Sequence, residues 1–419
     1  MKYPRMVRLR QRFERPRVED VAAAVRQALH AVDLGRVIRP GQTVALTAGS
    51  RGIANIPVVL RAVVRCLRDL GARPSLIPTM GSHGGGTAEG QRQVLESYGI
   101  TEAFVGAPIR SAMDVVPLGT TAEGFPVVLD RHAWEADHVG VVARIKPHTS
   151  YHGPVESGLL KMMMIGLGKH AGALAYHRIL LEQPYDRVVR SVGRLMRAKG
   201  KIAFGLALVE NAYDETALVE AALPGDFEPV EERLLALARN WLPRLPWREA
   251  DLLIVDEIGK EISGSGLDTN VVGRKRAFPG DEPEGQPRMR FIFVRGLSPH
   301  THGNAAGIGL ADFTTTRLVR AMDYHATVLN CLTSGYPEAA KLPVHFASDR
   351  EVIEAALAIL GTRAPQEARI VHIRNTLAVE ELEVSEPCLD QAGRQTDFTI
   401  EGAPYELSFD ARGDLAGLG

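Results

Sequence analysis

The sequence predicts an α/β protein: two α/β domains with largely parallel sheets and a cleft between them. Its 419 residues exceed what one hydrophobic core ordinarily supports, because chains tend to split beyond about 250–300 residues. Short apolar runs, glycine-rich loops and helical patterns alternate through both halves, as strands and crossover helices do. The run WLPRLPWREA, residues 241–250, breaks that alternation with prolines and tryptophans before a new strand begins. These observations set domains of 1–248 and 249–419.

VEDVAAAVRQALHAV (18–32) carries apolar residues at helical spacing. TVALTA (43–48) reads as a buried strand, followed by GSRG and the helical IPVVLRAVVRCLRDLG (56–71). PSLIPTM (74–80) is the next strand, with GSHGGGT and the helix AEGQRQVLESYG (88–99) after it. HVGVVARI (138–145) and KIAFGLALVEN (201–211) add two more. In the second half the strands are DLLIVDEI (251–258), RFIFVRGL (290–297) and ARIVHIRN (368–375). The helices there are TTTRLVRAMDYHATVL (314–329) and REVIEAALAILG (350–361), and AFPGDEPEGQPR (277–288) reads as a surface loop.

Composition excludes several function classes. Forty-nine basic residues against fifty acidic ones leave a net charge of −1, without the basic face that nucleic acid or a membrane surface selects. Cys66, Cys331 and Cys388 stand too far apart for a disulfide framework or a zinc knuckle. No apolar run is long enough for a signal peptide or a spanning helix. A soluble cytoplasmic protein is expected.

In an open α/β sheet, ligands gather beyond the carboxyl ends of the strands. Arg51, His83 and His148 each follow a predicted strand of the first domain, so the reading brings their loops to one crest. Gly84 and Gly85 let backbone approach a ligand closely, an arginine forks onto a carboxylate or phosphate, and two histidines suit acid–base work near neutral pH. Singly, each residue has a plainer role: a loop histidine is more often a structural hydrogen bonder, and loop glycines often only form turns. Lys161, in GLLKMMM, sits among apolar neighbours that would partly desolvate an amine nucleophile, or its stem packs while the ammonium reaches water. Met162, Met163 and Met164 read as core filling. His148 and His152 are four apart, but Gly153-Pro154 opposes a helix there and the zincin glutamate is missing.

These residues resemble, in order and spacing, the nickel-pincer-nucleotide-dependent lactate racemase family of 2-hydroxyacid racemases and epimerases. TAGSRG is similar to the family's arginine loop and offers Arg51 for the substrate carboxylate. GSHGGGTAEG places His83 at one catalytic position. Pro147-His148, then Ser157-Gly158-x-x-Lys161, then His177 sixteen residues beyond the lysine is the most specific match. The gap between Pro-His and Ser-Gly is about three residues longer than usual, which keeps His152 as an alternative to His148. The resemblance implies a nickel pincer nucleotide cofactor, a pyridinium-thioamide-thiocarboxylate mononucleotide. Lys161 would tether it, Ser157, Gly158, Gly84 and Gly85 would line it, and His177 would bind the nickel. It further implies inversion at C2 by reversible hydride transfer, with His83 and His148 as acid and base.

On this reading the first domain binds cofactor and performs the chemistry, and the second completes the substrate pocket. In GKEISGSGLDTNVVGRKR (259–276), Asp268 and Asn270 match the family, Val272 and Gly273 replace its usual tyrosine and glutamine, and Arg274, Lys275 or Arg276 stands in for its substrate-contacting lysine. The loss of an aromatic and an amide points to a substrate larger than lactate. Asp312 and Thr314 are further pocket candidates. The expected partners are a small 2-hydroxyacid and the enzymes that build the cofactor, with no nucleic acid and no membrane. Two other readings use the same crest: a hydroxyacid dehydrogenase or lyase with a freely bound cofactor, and a non-catalytic small-anion-binding protein.

Overall fold

The computed structural model describes residues 1–49, 52–276, 285–389 and 394–418. The surface loop expected over 277–288 therefore lies outside the described residues up to position 284, as does Arg51. Two compact units emerge: Glu14–Leu242, and a second formed by Met1–Phe13, Pro243–Arg276 and the described part of Pro283–Gly419.

The chain opens with β1 (Met6–Arg12), in which buried Met6, Val7, Leu9 and Gln11 contrast with exposed Arg8, Arg10 and Arg12. Reading along the chain assigns these residues to the first domain; the structure pairs them in the second unit, with strands almost 400 residues away. Such pairing is non-local, and nothing in the spacing of seven residues identifies so distant a partner.

The unit Glu14–Leu242 holds β2 (Thr43–Ala48), β3 (Arg73–Pro78), a hairpin of β4 (Val115–Thr120) and β5 (Pro126–Asp130), then β6 (His138–Arg144), β7 (Ile202–Glu210) and β8 (Thr216–Ala222). Its main sheet has the order β3-β2-β6-β7-β8, parallel throughout except where β8 runs back along β7. Parallel strands covered on both faces read as continuous apolar runs, and β6 and β7 are buried along nearly their whole length. One core lies on each side, around Leu46, Val59 and Phe204 and around Val141, Met163 and Phe227. Because β3, β2 and β6 are adjacent and parallel, the loops that follow them open at the same edge.

The other unit contains β9 (Glu249–Ile258), β10 (Arg288–Leu297), β11 (Phe313–Thr315), β12 (Val344–Phe346), β13 (Ile370–Ile373), β14 (Glu381–Ser385) and β15 (Asp397–Tyr405). They form one eight-stranded sheet with β1, in the order β12-β11-β10-β9-β13-β14-β1-β15. It is parallel from β12 to β13 and antiparallel beyond. The single helix expected over 314–329 is instead the strand β11 and two helices, Thr316–Ala321 and Tyr324–Thr333. The break falls at Asp323, whose carboxylate accepts the Ala326 N–H at 2.9 Å and caps the second helix. Among the described residues no helix is long and apolar enough to cross a membrane.

Candidate active site

The loop after β3 is a chain of left-handed glycines: Gly81, Gly84, Gly85 and Gly86 have φ of 58°, 65°, 67° and 65°. His83 sits among them, half-buried and extended, its N–H bonded to the Met80 carbonyl at 3.1 Å. Two of the glycines serve different ends. A Cβ on Gly84 would lie 2.5 Å from the Gly90 carbonyl carbon, so the loop closes backbone to backbone against the start of the next helix. A Cβ on Gly85 would meet nothing within 4 Å, so that side of the loop is open. A Gly84→Ala variant is expected to lose about 1–3 kcal/mol of stability, from left-handed strain plus the displaced backbone. A chemical denaturation curve with an unchanged midpoint would rule that out.

His148 follows β6 in a ten-residue excursion closed by the pairing of Lys146 with Ser157 (N–H to carbonyl 3.1 and 3.2 Å). That closure brings the Pro-His and Ser-Gly-x-x-Lys motifs to one end of the sheet despite the extra residues between them. Glu156, 1% exposed, organises the excursion from inside: its carboxylate accepts the N–H of His148 at 2.5 Å and of Gly153 at 3.2 Å, and pairs with Arg239 at 2.7 Å. Tyr151 stacks between His148 and Tyr185, with ring centroids 4.6 and 4.4 Å away. The His148 Nδ1 accepts the N–H groups of Ser150 at 2.9 Å and Tyr151 at 3.2 Å, so the neutral ring carries its proton on Nε2. The His152 side chain is 41% exposed, and its Nδ1 lies 3.3 Å from Glu156.

Lys161 stands on the single helical turn Leu159–Lys161, half-buried, with its ammonium 3.3 Å from Ser157 Oγ. Glu231 caps this turn from beneath. Its Oε1 accepts the Leu160 N–H at 3.1 Å, and a Cβ on Gly158 would lie only 2.0 Å from that oxygen, which accounts for the glycine of the motif. Burial pushes the Glu231 carboxyl up to about 8, so near neutral pH it is largely a neutral acid. The chain continues as a π-helical turn, Met162–Leu167, a rare form common at functional sites. Met163 and Met164 are fully buried, and Met162 reaches towards Gly49 after β2. A straight helix would carry His177 about 24 Å from Lys161. Instead Lys169 takes a left-handed φ of 56° and breaks the run before the helix Lys169–Ile179, on which His177 sits half-buried in the last turn.

The fully buried lysine is Lys169, not Lys161. Its ammonium donates to the Pro78 carbonyl and to Gln91 Oε1, both at 2.8 Å, and lies 3.6 Å from Asp130. At 3.6 Å the pair is Coulombic rather than hydrogen-bonded. Burial moves both groups towards neutrality, lowering the lysine and raising the carboxyl. Nearby, His170 Nδ1 is buried without a hydrogen-bond partner beside Gly86. Gln91, Glu156 and Glu231 escape the sequence reading, which notes Lys169 beside Lys161 but gives it no role. Glu231 left a trace, because it shares a helical face with Phe227, Leu234, Leu235 and Ala238, all buried.

In the other unit, Asp268 caps the turn Thr269–Val272 and holds Asn270 at 2.8 Å, and Asn270 accepts from Lys275 at 2.9 Å. Arg274, at φ 60°, pairs with Asp312 at 2.5 Å and donates to the Leu310 carbonyl at 2.8 Å. Thr314 is taken up inside the sheet, donating to the Val294 carbonyl at 2.8 Å. Among the described residues, no three His, Cys, Asp or Glu side chains converge to hold a bare metal ion.

Residues 5–188 match the family model described as lactate racemase N-terminal domain. No curated protein matches. Among solved structures, the lactate racemase apoprotein from Thermoanaerobacterium thermosaccharolyticum is similar with a TM-score of 0.52 and 14% identity, over 88% of this chain and 94% of that one. A protein from Thermotoga maritima has a TM-score of 0.49 and 14% identity, over 78% of this chain and 84% of that one. At such identity the apoprotein likeness concerns the fold, which is α/β with mostly parallel strands. The family match covers the stretch that contains His83, His148, Lys161 and His177, and it is this N-terminal stretch that is lactate racemase-like.

Proposed function

We propose that the chain is an isomerase, a racemase or epimerase that inverts C2 of a 2-hydroxyacid. In this reading Lys161 tethers a nickel pincer nucleotide, His177 supplies the protein's nickel ligand, and His83 and His148 form the acid–base pair. One observation carries it: all four residues fall inside the stretch matched to the lactate racemase N-terminal domain, and the loops bearing His83 and His148 leave neighbouring parts of one parallel sheet edge. The donor set suits such a group. The Lys161 amine is half-buried beside the Ser157 hydroxyl, and His170 Nδ1 is buried and unpartnered beside Gly86. His177 would be the protein's one imidazole on the metal, and the organic group would have to supply the remaining donors.

When bound, the group would supply the acceptor and donor for the α-hydrogen. The chain's own residues manage the proton and the charge. Arg51 takes the carboxylate of the substrate. His83 holds or releases the hydroxyl proton on one face. His148 is favoured over His152 because stacking and two backbone amides fix its ring, whereas His152 is drawn to Glu156. As fixed, His148 offers a hydrogen bond to the substrate oxygen; to take a proton at Nε2 its ring must first release the two amides.

The test is peptide mass and nickel content on protein co-expressed with the enzymes that build the cofactor. An adduct on the Lys161 peptide is expected, absent in Lys161→Ala, with nickel lost in His177→Ala. An unmodified lysine, in a host that loads a known racemase, would overturn the tether and leave a freely bound cofactor or an anion-binding protein.

A further inference from the structure

One buried polar cluster of the Glu14–Leu242 unit lies outside the residues given a chemical role. Lys169 and Gln91 are each 0% exposed. Gln91 Oε1 accepts from the Lys169 ammonium at 2.8 Å, while Gln91 Nε2 donates to the Gly81 carbonyl at 2.9 Å and the His83 carbonyl at 3.4 Å. Lys169 also holds the Pro78 carbonyl at the end of β3, and it belongs to the helix that bears His177. Asp130, at the end of β5, backs the ammonium at 3.6 Å, and its other oxygen accepts the Ala133 N–H at 3.0 Å.

A loop of four left-handed glycines has little rigidity of its own, so the position of His83 must be imposed from outside. A buried ammonium on a left-handed non-glycine residue is an unfavourable way to fill a core, since strain and desolvation both oppose it. An apolar side chain there would offer nothing to the Pro78 carbonyl or to Gln91.

We propose that Gln91 and Lys169 are positioning residues: Lys169 fixes the amide of Gln91, and Gln91 fixes the backbone of His83, tying it to the helix that bears His177. The inference rests on the reading of His83 as an acid–base residue, but its geometry can be tested without catalysis. Gln91→Glu separates the two halves of the amide's role. A glutamate oxygen still accepts from Lys169, whereas both donors to the Gly81 and His83 carbonyls are lost.

The experiment is histidine-labelled NMR on the full chain, with Gln91→Glu and Gln91→Leu compared to the unmodified protein and each fold checked by thermal melting. The expected result for Gln91→Glu is a cooperative melt, lowered by the two carbonyls left unpaired, with a shifted or exchange-broadened His83 signal and unchanged His148 and His152 signals. Where activity is present, kcat should fall by about 10- to 100-fold with little change in KM, the signature of a misplaced reacting group. A His83 signal unmoved in both variants overturns the positioning role. Equal movement of all the histidine signals overturns it too, by showing a general structural role. A shifted His83 in a chain that racemises nothing would keep the positioning role and discard the racemase reading.

Discussion

Replacing His83 or His148 with asparagine is expected to lower kcat for racemisation by about 10²- to 10⁴-fold, the range for removing a positioned acid or base. Asparagine suits His148 because its side-chain oxygen can replace Nδ1 as acceptor for the Ser150 and Tyr151 N–H groups, keeping the excursion folded while removing the titrating ring. The two substitutions should not add. A full inversion needs a proton handled on both faces, so the double variant should fall little below the worse single one, as expected of groups that act as a unit. The measurement is chiral chromatography of cofactor-loaded protein with lactate, an aryl-lactate and a sugar acid. If both single variants keep more than about a tenth of the activity, the acid–base assignment is wrong. Activity lost in His152→Asn but kept in His148→Asn would move the second role to His152.

Replacing Lys169 with methionine is expected to destabilise the protein by about 3–5 kcal/mol, the cost of stranding one member of a buried ion pair. The stranded groups are the Asp130 carboxyl, Gln91 Oε1 and the Pro78 carbonyl. For a unit of this size that corresponds to a fall of roughly 6–20 °C in Tm. The double variant Lys169→Met with Asp130→Asn should recover about 1–3 kcal/mol, because the asparagine oxygen still caps Ala133 and no buried charge remains. The pH dependence has a definite sign. Burial already raises the Asp130 carboxyl above its ordinary value. A raised folded-state value means stability that is fully present below the unfolded value and lost as pH rises through the folded one. Without the ammonium the carboxyl rises further, so the deficit of Lys169→Met should be larger near pH 8 than near pH 4. Melting curves at those two values check this. A deficit that shrinks with rising pH would mean that Asp130 is not the stranded group.

The outline of the candidate site is legible in the amino-acid order. β2 matches its sequence reading residue for residue, and β6 and β7 do so within one residue at each end, because parallel strands buried on both faces announce themselves as apolar runs. Given three such strands, the placement of the His83 and His148 loops at one edge follows from topology alone. The motif spacing from Pro147-His148 to His177 lies in one continuous stretch and needs no folding to be seen.

What lies beneath that outline is not legible there. Lys169 and Lys161 look alike in the sequence, each a lysine among glycine and apolar residues; only packing shows that the first is sealed between Pro78, Gln91 and Asp130 while the second reaches Ser157. Glu231 is brought beneath the Lys161 turn from seventy residues downstream, and β1 finds its neighbours across nearly the whole chain. The sequence by itself determined the strand pattern, the order of the motifs and so the kind of chemistry to seek, because those depend on local composition and spacing. The tertiary structure alone decided which charges are buried and what holds the glycine loop, because burial and long-range hydrogen bonds arise only when distant segments meet.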